Sequence, residues 1–118
     1  MDTSDIMLCI EMLTDMLPEL RDCLGMTQRE FAGIIGISRQ SVIDLEHKNR
    51  KITRSILIAM ITFFTLRCES ALLLYRKGFY STNFVTSLGF TTTLIEKIYD
   101  LGEGCKWKRK NFTFNGTL

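Results

Sequence analysis

The sequence predicts an all-α fold: a compact bundle of about five helices, with an additional helical region towards the C-terminus. Apolar residues recur three and four positions apart through most of the 118 residues. Capping residues stand just ahead of these runs, and glycines stand just behind several of them. A hydrophobic share of 46%, with one Pro and no low-complexity run, supports a packed core rather than disorder.

Ser4 or Asp5 caps a first helix to about Met16, with Ile6, Met7, Ile10, Met12 and Leu13 as its apolar members. Pro18 lacks the N–H that a continuous helix uses, so either a kink or a new helix over roughly Leu17 to Leu24 is expected, ended by Gly25. Thr27 and Glu30 form a T-x-x-E capping box ahead of an apolar face of Phe31, Ile34 and Ile35, with Ala32 allowing close approach by a neighbour. The pattern stops at Gly36-Ile37-Ser38 and restarts at once, which predicts a sharp turn between two short helices. Ser38 caps the second of these, over 38–47, and Val42 and Leu45 point inward. Thr53 caps the core helix, built from Ile56, Leu57, Met60, Ile61, Phe63 and Phe64. Further helices are expected around Glu69 to Lys77, Thr82 to Leu88 and Thr92 to Leu101, the last with Leu94, Ile95, Ile98 and Leu101 on one side. In the tail, Phe112 and Phe114 alternate with polar residues, as in an extended arm or a terminal strand.

The net charge of +2 is unevenly distributed. Residues 1–24 carry six acids and one base, residues 26–54 carry six bases and three acids, and the remainder carries eight bases and four acids. Positive charge therefore collects around the double-helix stretch and in the tail, an arrangement suited to a polyanion contacted on one side. The four cysteines, Cys9, Cys23, Cys68 and Cys105, form no C-x-x-C pair and read as small buried hydrophobes of a reducing compartment. Asp2 and Asp5 occupy the place of a basic signal-peptide region. The apolar run from Ser55 to Leu66 is well short of the roughly 20 residues needed to cross a bilayer. A cytoplasmic protein with no membrane association is expected.

The stretch from about Leu17 to Phe64 resembles the lambda-repressor and Cro-like helix-turn-helix family, also called the Xre family. The matching elements are "LRDCLGMTQREFA", "GISRQSV" and the E-x-x-x-R spacing of Glu46 and Arg50. The resemblance implies a bundle of about five helices that binds double-stranded DNA through helix 38–47, as a symmetric homodimer on a palindromic operator. No cofactor is expected. The resemblance also implies a pairing of Arg21 with Glu46 that positions the reading helix without reading bases. The chain departs from the family pattern at Lys48, where a glycine usually follows the third helix, and at Ile52, where a proline is usual. Either Asn49 supplies the left-handed residue or Lys48 is strained there.

The residues themselves fit this use. Arg39 can bond guanine bidentately and Gln40 adenine, each discriminating by roughly 1–3 kcal/mol, while Ser41 or Asp44 can extend the base readout. Thr27, Gln28 and Ser38 stand at helix N-termini, where free N–H groups address phosphate. His47, Lys48, Asn49, Arg50 and Lys51 form a polar stretch suited to backbone contacts, which fix register without specifying sequence. The competing explanation is that Gln28 and Ser38 are simply caps and that Lys48 to Lys51 is a solvated face.

The second half echoes the first. A shift of 53 places Gly25 on Gly78, Phe31 on Phe84, Gly36 on Gly89, Ser38 on Thr91, Val42 on Ile95 and Leu45 on Ile98. Thr92 and Thr93 then replace Arg39 and Gln40, so a degenerate motif used for packing or dimerisation competes with coincidence between short amphipathic helices, and coincidence is the favoured explanation. Phe79, Phe84, Phe90, Leu94, Ile98 and Tyr99 exceed what a minimal bundle needs, and a two-fold dimer interface is expected to use them.

The expected organisation is a DNA-binding domain over 1–66, a helical extension for dimerisation over 67–104 and a basic tail over 105–118. In that tail Lys106, Trp107, Lys108, Arg109 and Lys110 form either an arm along DNA or a solvated terminus. The expected function is sequence-specific transcriptional regulation, most simply repression. The alternative is an antitoxin-like protein that binds a toxin through its C-terminal half and represses its own operon. No enzyme is expected, because the single histidine, His47, has no metal-spaced or nucleophilic companions.

Overall fold

The computed structural model describes residues 3–99, and within them the chain forms seven α-helices and one 3₁₀ turn. The helices are α1 (Thr3–Cys23), α2 (Gln28–Ile35), α3 (Arg39–Glu46), α4 (Arg54–Thr65), α5 (Cys68–Arg76), α6 (Asn83–Ser87) and α7 (Thr92–Tyr99), with the 3₁₀ turn Phe79–Ser81 between α5 and α6. The expectations for Cys105, for the tail's basic run and for Phe112 and Phe114 lie outside the described residues.

α1 corrects the expectation of two helices. It runs through Pro18 without a break. An interior proline costs about 3 kcal/mol, but each fully buried leucine returns about 1.5–3 kcal/mol, and Leu13, Leu17 and Leu20 all have no exposed surface. Ile6, Cys9, Leu13, Met16, Leu17 and Leu20 form one continuous buried stripe that would be split by a turn at Pro18. The helix ends as its sequence predicts: Gly25 has φ +66°, and the N–H groups of Gly25 and Met26 return to the carbonyls of Asp22 and Arg21.

The capping box ahead of α2 is complete, with Thr27 Oγ1 accepting from Glu30 N at 3.0 Å and Thr27 N donating to Glu30 Oε1 at 2.9 Å. Phe31 and Ala32 are buried, but Ile34, expected on the same face, is 54% exposed. Gly36 turns the chain at φ +89°, and Ser38 Oγ then accepts from Ser41 N to start α3. α2 and α3 pack directly on each other, and α3 also packs on α1.

α4 is the core helix. Phe31 of α2 stacks on Phe64 at a centroid distance of 5.3 Å, and Phe63 meets Phe64 edge-on at 5.3 Å. The apolar run from Ser55 to Leu66 is spent here in protein packing: Leu57, Met60, Ile61 and Phe64 have no exposed surface. Among the described residues no single helix is long and apolar enough to cross a membrane.

The C-terminal helices join this core. α1 packs on α5 and α6 as well as on α3, and one apolar cluster extends from Ile6 to Ile95. Phe79 and Phe84 are buried, and Tyr80 is buried with its hydroxyl 2.9 Å from Thr65 Oγ1. Phe90 and Tyr99 are half-buried, the Tyr99 hydroxyl donating to the Thr65 carbonyl. Most of the aromatic surplus expected at a dimer interface is therefore consumed inside the chain. α7 is also rotated from the expected apolar face: Ile95 is buried, while Leu94 and Ile98 are 39% and 55% exposed.

Candidate nucleic-acid interface

The site is the outward end of α3 together with the loop that follows it. Its orientation is set from behind by a charged cluster. Arg21 Nε donates to Glu46 Oε2 at 2.6 Å, Arg21 Nη2 to Glu46 Oε1 at 3.3 Å, and Arg21 Nη1 to the Met26 carbonyl at 3.0 Å. Only 12% of the arginine side chain and 7% of the glutamate are exposed. This bidentate, nearly dry pair ties the C-terminal end of α3 to the end of α1. Gln28 completes the cluster, its Nε2 donating to Glu46 Oε1 at 3.0 Å. The amide expected on phosphate is thus engaged in positioning α3, and its oxygen and second N–H are the parts left for another partner.

At the front of α3, Arg39 and Gln40 are exposed, but the other two residues assigned to base reading are not free. Ser41 is 6% exposed; its hydroxyl lies 2.9 Å from Ser38 Oγ and accepts from the Arg50 guanidinium. It belongs to the cap of the helix, held down from the loop. Asp44 is half-buried, and its Oδ1 accepts from Gln40 Nε2 at 3.0 Å. Arg39 and Gln40 are the pair that the fold leaves projecting.

Behind α3 the chain closes with a left-handed residue, and Lys48 supplies it at φ +61°. Lys48 N donates to the Leu45 carbonyl and Asn49 N to the Asp44 carbonyl, the two bonds of a helix end that normally carries glycine. A lysine there costs about 1–2 kcal/mol of backbone strain. Its ammonium is held by α1, 2.5 Å from Asp15 Oδ1 and 4.0 Å from Glu11 Oε1. Lys48 therefore anchors the loop to α1. The sequence did not indicate these partners, since the acids lie more than thirty positions upstream and look like part of a solvated face.

The remaining assigned residues, Thr27, Ser38, His47, Asn49, Arg50 and Lys51, are all exposed. His47 caps α3, with Nδ1 2.8 Å from the Ile43 carbonyl. Arg39, Arg50 and Lys51 have no carboxylate partner among the described residues. Nor do the described residues contain a group of His, Cys, Asp and Glu able to hold a metal ion.

Two helices joined by a sharp glycine turn, a buried ion pair behind the second and exposed cations in front describe one kind of module. A family model described as Helix-turn-helix, of the Cro/C1 and Xre-like type, matches residues 19–67. That segment is a helix-turn-helix domain. Such a domain implies DNA binding, and with it a role in transcriptional regulation. Comparisons with curated proteins and with solved structures find no match for the chain.

Proposed function

We propose that the protein is a sequence-specific transcriptional repressor of the cytoplasm, a homodimer that occupies a palindromic operator and reads its major groove with α3. The observation that carries this is the exposure of Arg39 and Gln40 at the front of a helix whose far end is pinned by the buried Arg21–Glu46 pair. In this reading Arg39 bonds guanine and Gln40 adenine. Arg50, Lys51, Asn49, His47, the exposed Thr27 side chain and the N–H groups at Gln28 and Ser38 address the backbone. The division of labour runs along the chain, with DNA contact in 1–66, self-association in 67–104 and a basic tail in 105–118, although the first two share one core.

The test is selection of bound fragments from a random DNA pool, followed by anisotropy titration with wild type and Arg39→Ala/Gln40→Ala at two salt concentrations. A palindromic winner lost by the variant, with weak salt-sensitive binding remaining, supports the reading. Equal binding by the variant, or no enriched sequence, rejects it.

The exposed pair Leu94 and Ile98, one turn apart on α7, favours a protein contact in the second half. A second copy of the chain is the first candidate for it. The second reading is an antitoxin-like protein whose α7 face holds a toxin, and copurification of a small partner encoded beside it separates the two.

A further inference from the structure

We propose that Asp44 determines the base preference at the position read by Gln40, by fixing the polarity of the Gln40 amide, and does not itself read a base. This rests on the assignment of α3 as the reading helix. Asp44 stands one turn behind Gln40, and the 3.0 Å contact between Gln40 Nε2 and Asp44 Oδ1 joins an exposed side chain to a half-buried one. A carboxylate only accepts hydrogen bonds, whereas an amide has a donor end and an acceptor end. Only the nitrogen end of Gln40 can therefore face Asp44; the flipped amide sets Oε1 against a carboxylate oxygen.

With one N–H spent on Asp44, Gln40 keeps Oε1 and a second N–H for the groove. That combination matches adenine, whose N7 accepts and whose N6 donates. Guanine offers two acceptors at the same edge, so the fixed Oε1 meets O6 and is repelled. Asp44 gains specificity for its neighbour by rejecting the wrong amide orientation. Gln40 engages Oδ1 of Asp44, so a direct contact with a cytosine amino group would fall to Oδ2, and a changed preference at a second base pair would reveal it. Ser41 cannot take over the bracing role, since its hydroxyl is turned inward to Ser38 and Arg50.

An ordinary contribution to helix stability is the rival account of this contact, because glutamine and aspartate one turn apart support any helix by a few tenths of a kcal/mol. Base preference separates the two. Wild type, Asp44→Asn, Gln40→Ala and the double variant are titrated by anisotropy against the selected operator and against duplexes changed at one base pair at a time. The amide introduced by Asp44→Asn can accept or donate, so it tolerates both orientations of Gln40. The expected result is that Asp44→Asn keeps its affinity for the selected operator within about threefold, while discrimination at one adenine falls from roughly tenfold or more to under about threefold. Gln40→Ala loses discrimination at the same base pair, and the double variant loses no more than Gln40→Ala alone. Unchanged preference in Asp44→Asn overturns the proposal. So does a changed preference at a different base pair, which makes Asp44 a reader in its own right. A wild type with no preferred sequence removes the assignment of α3 and this proposal with it, and is recognised before any variant is compared.

Discussion

Glu46 accepts hydrogen bonds from two elements at once, from Arg21 at the end of α1 and from Gln28 at the start of α2. With 7% of its side chain exposed, it has little water to replace either partner. Glu46→Ala is expected to cost about 3 kcal/mol or more in urea denaturation, because it strands a nearly buried guanidinium. Arg21→Met/Glu46→Leu is expected to cost clearly less, since neither charge is then left unpaired. An equal loss in both variants would mean that packing, not the unpaired charge, dominates. Cys9 shows a different effect of burial. It has no exposed surface, and burial pushes its thiol from the ordinary 9.0 up to about 12. The folded state thus holds its proton more tightly than the unfolded chain, so its contribution to stability is complete below about pH 9 and is lost as pH rises towards 12. Burial pushes the Tyr80 hydroxyl upward as well, and its contribution has the same sign. Denaturation midpoints are expected to fall between about pH 9 and 11 in wild type, and less steeply in Cys9→Ala. In thiol labelling the exposed Cys23 is expected to react before Cys9.

On the scale of single elements, local signals placed most helix ends but did not decide continuity or packing partner. The capping box of α2, the Ser38 cap of α3 and the glycine turn between them stand where the sequence puts them. Pro18 is a true local signal that lost to the buried stripe of α1. Pro18→Ala restores a donor to the Thr14 carbonyl and is expected to raise stability by about 1–3 kcal/mol, read as a higher melting temperature with unchanged helical signal. A lower melting temperature would show that the proline shapes a bend which the packing of α1 requires. The echo at a spacing of 53 is equally instructive. α7 spans the positions that the shift assigns to α3, Gly89 has φ +98° where Gly36 has +89°, and Thr91 Oγ1 accepts from Leu94 N as Ser38 accepts from Ser41. The neighbours nevertheless differ. α3 packs on α2 and α1, whereas α7 packs on α5, with Tyr75 donating to Glu96. Leu45 is buried while Ile98, its counterpart, is exposed.

The whole molecule is organised around α1, which serves α3 at one end of its stripe and α5 and α6 along the rest. The acidic face of the same helix also meets Lys48 through Asp15, so α1 contacts the loop that follows α3 as well. Residues of the second half thereby divide into two groups. Phe84→Ala is expected to cost about 3–5 kcal/mol, as for any large core aromatic. Ile98→Glu is expected to change unfolding of the chain by less than about 0.5 kcal/mol, yet to abolish self-association measured by light scattering at micromolar concentration. A wild type that is monomeric alone and on DNA would reject the dimer, and an Ile98→Glu variant that stays dimeric would move the interface elsewhere.

The all-α class, the short helices on either side of Gly36, the caps at Thr27, Ser38 and Thr53 and the pairing of Arg21 with Glu46 were legible in the sequence. Each rests on residue chemistry at short spacing or on a pattern that several positions share. The front of the site was only half legible. Arg39 and Gln40 project as expected, but Ser41 is covered by Arg50 and Asp44 braces Gln40, because which side of a short helix is covered depends on the loop that returns over it. Tertiary structure alone decided that α1 continues through Pro18, that Lys48 turns back to α1 and that Phe79, Tyr80 and Phe84 fill the chain's own core. At Pro18 the burial of a whole helix stripe outweighed a local cost of about 3 kcal/mol, and in all three cases the deciding partners lie in distant segments that no one stretch of sequence contains.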